Sequence, residues 1–137
     1  MATYQITLSE NQLSVIERAL ELYARIHMGQ LDEAGFELRL HEISSGINDW
    51  DKWDEIRALL DKASERFTNL GGGYFGILSE KVSTHAKIAW DLYQDIRYRL
   101  AWDNNPDGGY NVRLSDPLLV RASATEKPAE VKRKQED

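Results

Sequence analysis

Ser9-Glu10-Asn11-Gln12-Leu13-Ser14-Val15-Ile16 begins the stretch that decides the fold, and Leu22-Tyr23-Ala24-Arg25-Ile26-His27-Met28-Gly29-Gln30 ends it. Ser9 with Gln12 three residues on has the form of a capping box, in which the serine accepts from a backbone amide and the glutamine reaches back. Leu13, Ile16, Leu20, Tyr23 and His27 then recur at three-four spacing, one apolar face of a helix, with Glu17, Arg18, Glu21 and Arg25 off it. Glu21 and Arg25 are placed for a weak i,i+4 pair. Gly29 suits the position just past the helix end. The last two turns also gather a phenol ring, a guanidinium and an imidazole, more chemistry than a helix end requires. They either fasten the junction to the next segment or line a site.

Before this helix, Tyr4, Ile6 and Leu8 alternate with Thr3, Gln5 and Thr7, which predicts a short half-buried strand. After it, Leu31–Ile43 is ambiguous, because Phe36, Leu40 and Ile43 suit a helix and Phe36, Leu38 and Leu40 a strand; Gly35 and the acidic Glu33 and Glu37 favour a short or irregular helix. Asn48–Asn69 is a clear helix, with Trp53, Ile56, Leu60, Ala63, Phe67 and Leu70 as its apolar stripe. Acids crowd its start and Lys62 and Arg66 its end, which suits the macrodipole. Gly71-Gly72-Gly73 stops it. Ser83 caps a further helix to about Trp102, with Ala89, Leu92, Ile96 and Leu100 inward, and Asn104–Gly109 is a turn. Tyr110, Val112 and Leu114 alternate again and give a second strand able to pair with the first.

The expected fold is therefore α+β and mostly helical: three or four helices with a small antiparallel sheet from an N-terminal and a C-terminal strand. One two-stranded sheet is barely stable alone, so it must lie on the helices or continue across a subunit boundary. Residues 1–120 read as a single compact domain and residues 121–137 as a flexible charged tail.

With 137 residues and 42% hydrophobic composition the chain is long enough to bury a core. It has no apolar run near the roughly 20 residues that span a bilayer and no leader pattern, so a cytoplasmic protein without a membrane partner is expected. The absence of cysteine removes disulfides, thiol catalysis and most structural zinc schemes. Residues 1–120 carry 12 Lys+Arg against 19 Asp+Glu, and the tail 5 against 4. Such an acidic body argues against general nucleic-acid binding, which needs cations on phosphates.

The sequence offers no catalytic constellation, no metal set and no cofactor motif, and the balance of features is against an enzyme. The histidines 27, 41 and 85 show no metal-ligand spacing on one helix. Glu33/Glu37 and Asp91/Asp95 fall on single helical faces, and acids converging from facing helices could hold magnesium. Small helical nucleotide pyrophosphatases use such clusters, but the second Glu-x-x-Asp helix of their pattern is missing here. Gly71–Gly73 follows a helix and lacks the Lys-Ser/Thr of a phosphate loop. What remains is a set of arginines and aromatics at helix ends: Tyr23, Arg25, His27 and Gln30, then Tyr74 and Phe75 on the glycine-flanked loop, then Tyr93, Arg97 and Arg99. Arginine beside an aromatic ring can hold a phosphate and stack on a base. The bland reading is packing, with Asp95 pairing Arg99 four residues on. The tryptophans at 50, 53, 90 and 102 cannot all lie inside so small a core, and an exposed one would mark an interface or ligand site.

The blocks Ile6–Gln12, Leu20–Gln30 and Ala89-Trp90-Asp91-Leu92-Tyr93-Gln94-Asp95-Ile96-Arg97-Tyr98-Arg99-Leu100-Ala101-Trp102 resemble a group of small proteins encoded by tailed bacteriophages and prophages, over roughly residues 4–116. The resemblance supplies a setting, the host cell cytoplasm, and no mechanism. In that setting the leading expectation is a non-enzymatic, homo-oligomeric binding protein of counter-defence that sequesters a nucleotide-derived signal with the arginine and aromatic set. An acidic inhibitor of a host enzyme or defence protein, acting through clusters such as Asp49–Glu55, is the alternative. A magnesium-dependent nucleotide pyrophosphohydrolase is the third.

Overall fold

A computed structural model describes residues 1–109 and 121–136. Its elements are α1 (Glu10–His27), α2 (Asp32–Ser44), α3 (Trp50–Thr68) and α4 (Thr84–Asn104). The capping box at Ser9 forms as its spacing predicts: Gln12 N donates to Ser9 Oγ, and Ser9 N donates to Gln12 Oε1 at 2.9 Å. Asp49 caps α3 by accepting from Lys52 N, and Ser83 caps α4 by accepting from Ala86 N. Gly29 takes φ +89° just beyond α1, and a side chain there would drive into the Thr68 methyl. The chain can turn from α1 into α2 over four residues because that position is glycine.

The helices pack as a succession of neighbours. α4 lies antiparallel along α1, since Ser83 at the start of α4 meets His27 at the end of α1. Buried Ala24, Ala86 and Ala89 allow close approach between elements here. α1 also borders α2, through the Arg18–Glu37 ion pair at 2.8 Å. α2 packs on α3, with Gly35 so close to Leu60 that an added methyl would lie 2.9 Å from its Cδ1. Trp53 Nε1 and Lys52 Nζ both donate to the Glu42 carboxylate across this pair, and they hold that carboxyl below its usual range. Among the described residues α3 packs on neither α1 nor α4, and α2 does not pack on α4. The result is an open row, α3–α2–α1–α4, and not two layers closed over one core. A small apolar core of Met28, Val82 and Ala86, with Phe75 and Ile77 against it, sits where the end of α1, the 75–82 loop and the start of α4 meet.

Two sequence expectations need correction. The small sheet is not formed: there is no strand among the described residues. Residues 2–8 run into the Ser9 cap with Tyr4 91% and Ile6 72% exposed, so the alternation marks no buried face. Alternation specifies which side chains share a face but supplies no partner for the backbone, and a strand exists only when another edge pairs with it. Its intended partner, Tyr110–Leu114, lies outside the described residues. The second correction concerns 31–43, which is a regular helix, not a short or irregular one. Gly35 serves there as the contact point with α3 and does not break the helix. Residues 121–129, read from the sequence as free tail, lie against α4.

Candidate functional site

The end of α1 and the middle of α4 bring part of the arginine and aromatic set together. Arg25 Nε donates to Glu21 Oε1 at 3.1 Å, its Nη1 donates to Gln30 Oε1 at 2.9 Å, and its guanidinium lies 5.4 Å from the Trp90 ring centre. Gln30 is buried, held further by its own N–H donating to the Arg25 carbonyl. One turn along α4 the Tyr93 ring packs 5.5 Å from Trp90, and Arg97 Nη1 donates to Tyr93 Oη at 3.3 Å. Burial first, then the charge of Glu21 and a hydrogen bond with it, push the Tyr93 phenol up to about 12. Burial also raises the carboxyls of Glu17 and Glu33, with Glu21 adding to the rise in both. This is a half-buried polar seam in which cations and carboxylates answer one another. An anionic ligand entering it must displace Glu21 or Gln30 from Arg25 and sit beside three carboxylates.

The other members of the set lie elsewhere. Tyr23 stacks on His27 at 4.5 Å between ring centres, and His27 Nδ1 is 3.2 Å from the Ser83 hydroxyl that caps α4. These contacts fasten the helix end to its neighbour. Phe75 is a packing residue: its N–H donates to the Met28 carbonyl at 2.8 Å, its ring leans on the Met28/Val82/Ala86 core, and Phe67 packs 6.2 Å away. Tyr74 alone of the loop aromatics points into solvent. Arg99 is sixteen residues beyond Ser83, about 24 Å along α4, and pairs with Asp103 at 2.6 Å. It borders a groove of about 760 Å³ between residues 5–13, the end of α4 and residues 131–136. So Arg25, Gln30, Tyr93 and Arg97 converge, Tyr23, His27 and Phe75 gather at the end of α1, and Arg99 joins neither.

Sequence reasoning missed the strongest electrostatic feature. Asp95 does not pair with Arg99 but with Arg121, which donates from Nη1 at 2.6 Å and Nη2 at 3.1 Å. Asp91, one turn before, accepts from Ala122 N and Ser123 N, both at 2.8 Å, and Asp95 also accepts from Ala129 N at 3.0 Å. Both carboxylates are buried on α4 by this docked segment. No spacing rule reaches from 95 to 121, and the only available signal was the pair of acids on an otherwise inward-facing helix. Among the described residues no three histidine, aspartate or glutamate side chains gather as a metal site would require.

A different surface is apolar and exposed. Trp50 at the start of α3 carries Arg39 of α2 over its ring and is exposed, as are Phe36, Leu40 and Ile43 of α2. Comparison with known protein families, characterised proteins and solved structures gives no match. No helix among the described residues is long and apolar enough to cross a membrane.

Proposed function

We propose that this chain is a non-enzymatic binding protein that acts by protein–protein contact, with its working surface on the α2–α3 hairpin. The observation that carries the reading is the exposed apolar stripe Phe36, Leu40 and Ile43 on one face of α2, with exposed Trp50 at the start of the neighbouring α3. A contiguous exposed apolar patch of this kind marks an interaction site more often than a scattered single residue does. Sequestration of a nucleotide needs cations left open to phosphate, and Arg25, Arg97 and Arg99 are each engaged within the chain. Contact with another protein fits better. Asp51, Asp54 and Glu55 are exposed at the start of α3, and exposed Arg57 beyond them gives this surface both signs of charge.

The test uses a photo-crosslinking amino acid at position 40, and at exposed Thr84 as control, in cells producing the full chain. Protein adducts at 40 and none at 84 are expected. A thermal-shift panel of cyclic dinucleotides and ADP-ribose derivatives is expected to leave the melting temperature unchanged. Adducts absent at 40, together with a ligand-induced shift, reverse the reading in favour of a small nucleotide.

A further inference from the structure

We infer that the occupant of the α2–α3 face is a second copy of this chain, joined through the same face to make an intermolecular four-helix bundle. The inference rests on the reading of that face as a protein-binding surface and adds the identity of its partner.

Three observations converge on it. The first is the missing layer. Helical domains are stable when the apolar stripe of each helix is covered by another element. Here α2 has α3 on one side and α1 on another, yet Phe36, Leu38, Leu40 and Ile43 are all exposed. Phe36, Leu40 and Ile43 share one face of α2, and an apolar face of this kind is ordinarily covered by another element. Two antiparallel helices supply half of such a bundle, and a second identical pair completes it.

The second is area. Phe36 is 54% and Trp50 57% exposed, and Leu40 and Ile43 are exposed as well. Together the four offer about 400 Å² of apolar surface, given about 150–250 Å² for a whole aromatic side chain. That is close to the apolar share, somewhat over half, of the roughly 800 Å² each partner covers in a standard interface.

The third is charge. The face carries both signs. Arg39 lies over the Trp50 ring at 4.1 Å, and its Nε is buried without a hydrogen-bond partner among the described residues. Arg57 is only loosely paired with Asp61, at 3.9 Å, and both are largely open to solvent. Asp54 stands one turn after Trp50 and is exposed. In a twofold contact a patch meets its own copy, so it must be self-complementary. Two arginines and two aspartates around an apolar centre meet that condition. A uniformly basic foreign partner would leave Arg39 and Arg57 facing like charge.

The experiment is the mass of the purified full chain by light scattering, over a dilution series down to about 1 μM. Twice the 15.7 kDa chain mass is expected. Leu40→Asp and, separately, Phe36→Ser are each expected to give a monomer that keeps its helical circular dichroism. Should one variant fail to fold, the other carries the comparison. Arg39→Gln is expected to weaken the dimer about tenfold or more, since it removes one of the positive charges that make the face self-complementary. A monomeric wild-type chain at all concentrations overturns the second-copy assignment, and so does a dimer untouched by both apolar variants. In the monomer case the crosslinker at 40 decides the broader reading independently. Adducts with a different protein keep the face as a binding surface, and no adducts remove that as well.

Discussion

Arg121 forks onto Asp95, with Nη1 2.6 Å from Oδ1 and Nη2 3.1 Å from Oδ2, and it does so across 26 residues of sequence. The hydrogen bond with Asp95 is the main reason the guanidinium holds its proton even more tightly than usual. Arg121→Ala leaves a buried carboxylate with, among the described residues, the Ala129 amide alone, and removing one member of a buried pair costs about 3 kcal/mol or more. Urea unfolding should show that loss. The double variant Asp95→Ala/Arg121→Ala should lose clearly less than the two single losses added, because the stranded charge is gone. Strict additivity would mean that the fork contributes nothing of its own.

Tyr93 gives the protein an alkaline limit. Its phenol ionises near 12 in the folded chain against 10 when free. A raised folded value means the unfolded chain releases this proton first. The associated stability is fully present below pH 10 and is lost between pH 10 and 12. Two units correspond to about 2.7 kcal/mol. Unfolding free energies at pH 9 and pH 11.5 should differ by an amount approaching this in the wild type. Tyr93→Phe should remove that slope while costing about 1 kcal/mol at neutral pH, for the hydrogen bond from Arg97. A slope unchanged by Tyr93→Phe would place the alkaline loss on another group.

Legibility in the sequence followed the range of the forces involved. The starts of α1 and α4 were readable because a cap is decided within three residues, at Ser9 and Ser83, whereas α3 was read from its apolar stripe and the acids at its start, and the Asp49 cap was not seen. α2 was ambiguous because its apolar residues are not confined to one side, and the same spread leaves Phe36 and Leu40 exposed in the lone chain. The Asp95–Arg99 pair failed where a long-range competitor, Arg121, won the carboxylate and left Arg99 to Asp103. Arg25, Gln30 and Tyr93 do meet, since the end of α1 packs on the first half of α4. Arg99 was carried away by the length of that same helix. The four tryptophans do not all lie inside, as the size of the core required: Trp53 is buried and Trp50 exposed.

Gly29 should tolerate no side chain. It combines φ +89° with a direct approach to the Thr68 methyl. Gly29→Ala incurs both the left-handed backbone strain and the overlap, about 1–3 kcal/mol for the strain alone. Pairing it with Thr68→Ser removes the methyl and should recover only the overlap part. Thermal unfolding of the two variants separates the contributions. Full recovery in the pair would show that backbone conformation at this turn is not limiting.

Glu17 is the place where the seam works against itself. Burial, then repulsion from Glu21, raise its carboxyl above the ordinary value, and these outweigh the attraction of Arg97 and Arg18. A raised folded value places its favourable contribution at low pH, where both states hold the proton. That contribution is lost as pH climbs through the folded value, so at pH 7 the ionised group is a net cost. Glu17→Gln keeps the shape, removes the charge and should raise the melting temperature at pH 7 by about 1–3 °C. The gain should shrink toward zero as the pH is lowered to 4.5, the unperturbed value for a glutamate. A drop at pH 7 would mean that the Arg97 and Arg18 attractions dominate, and that the arginines of the seam depend on this carboxylate for their placement.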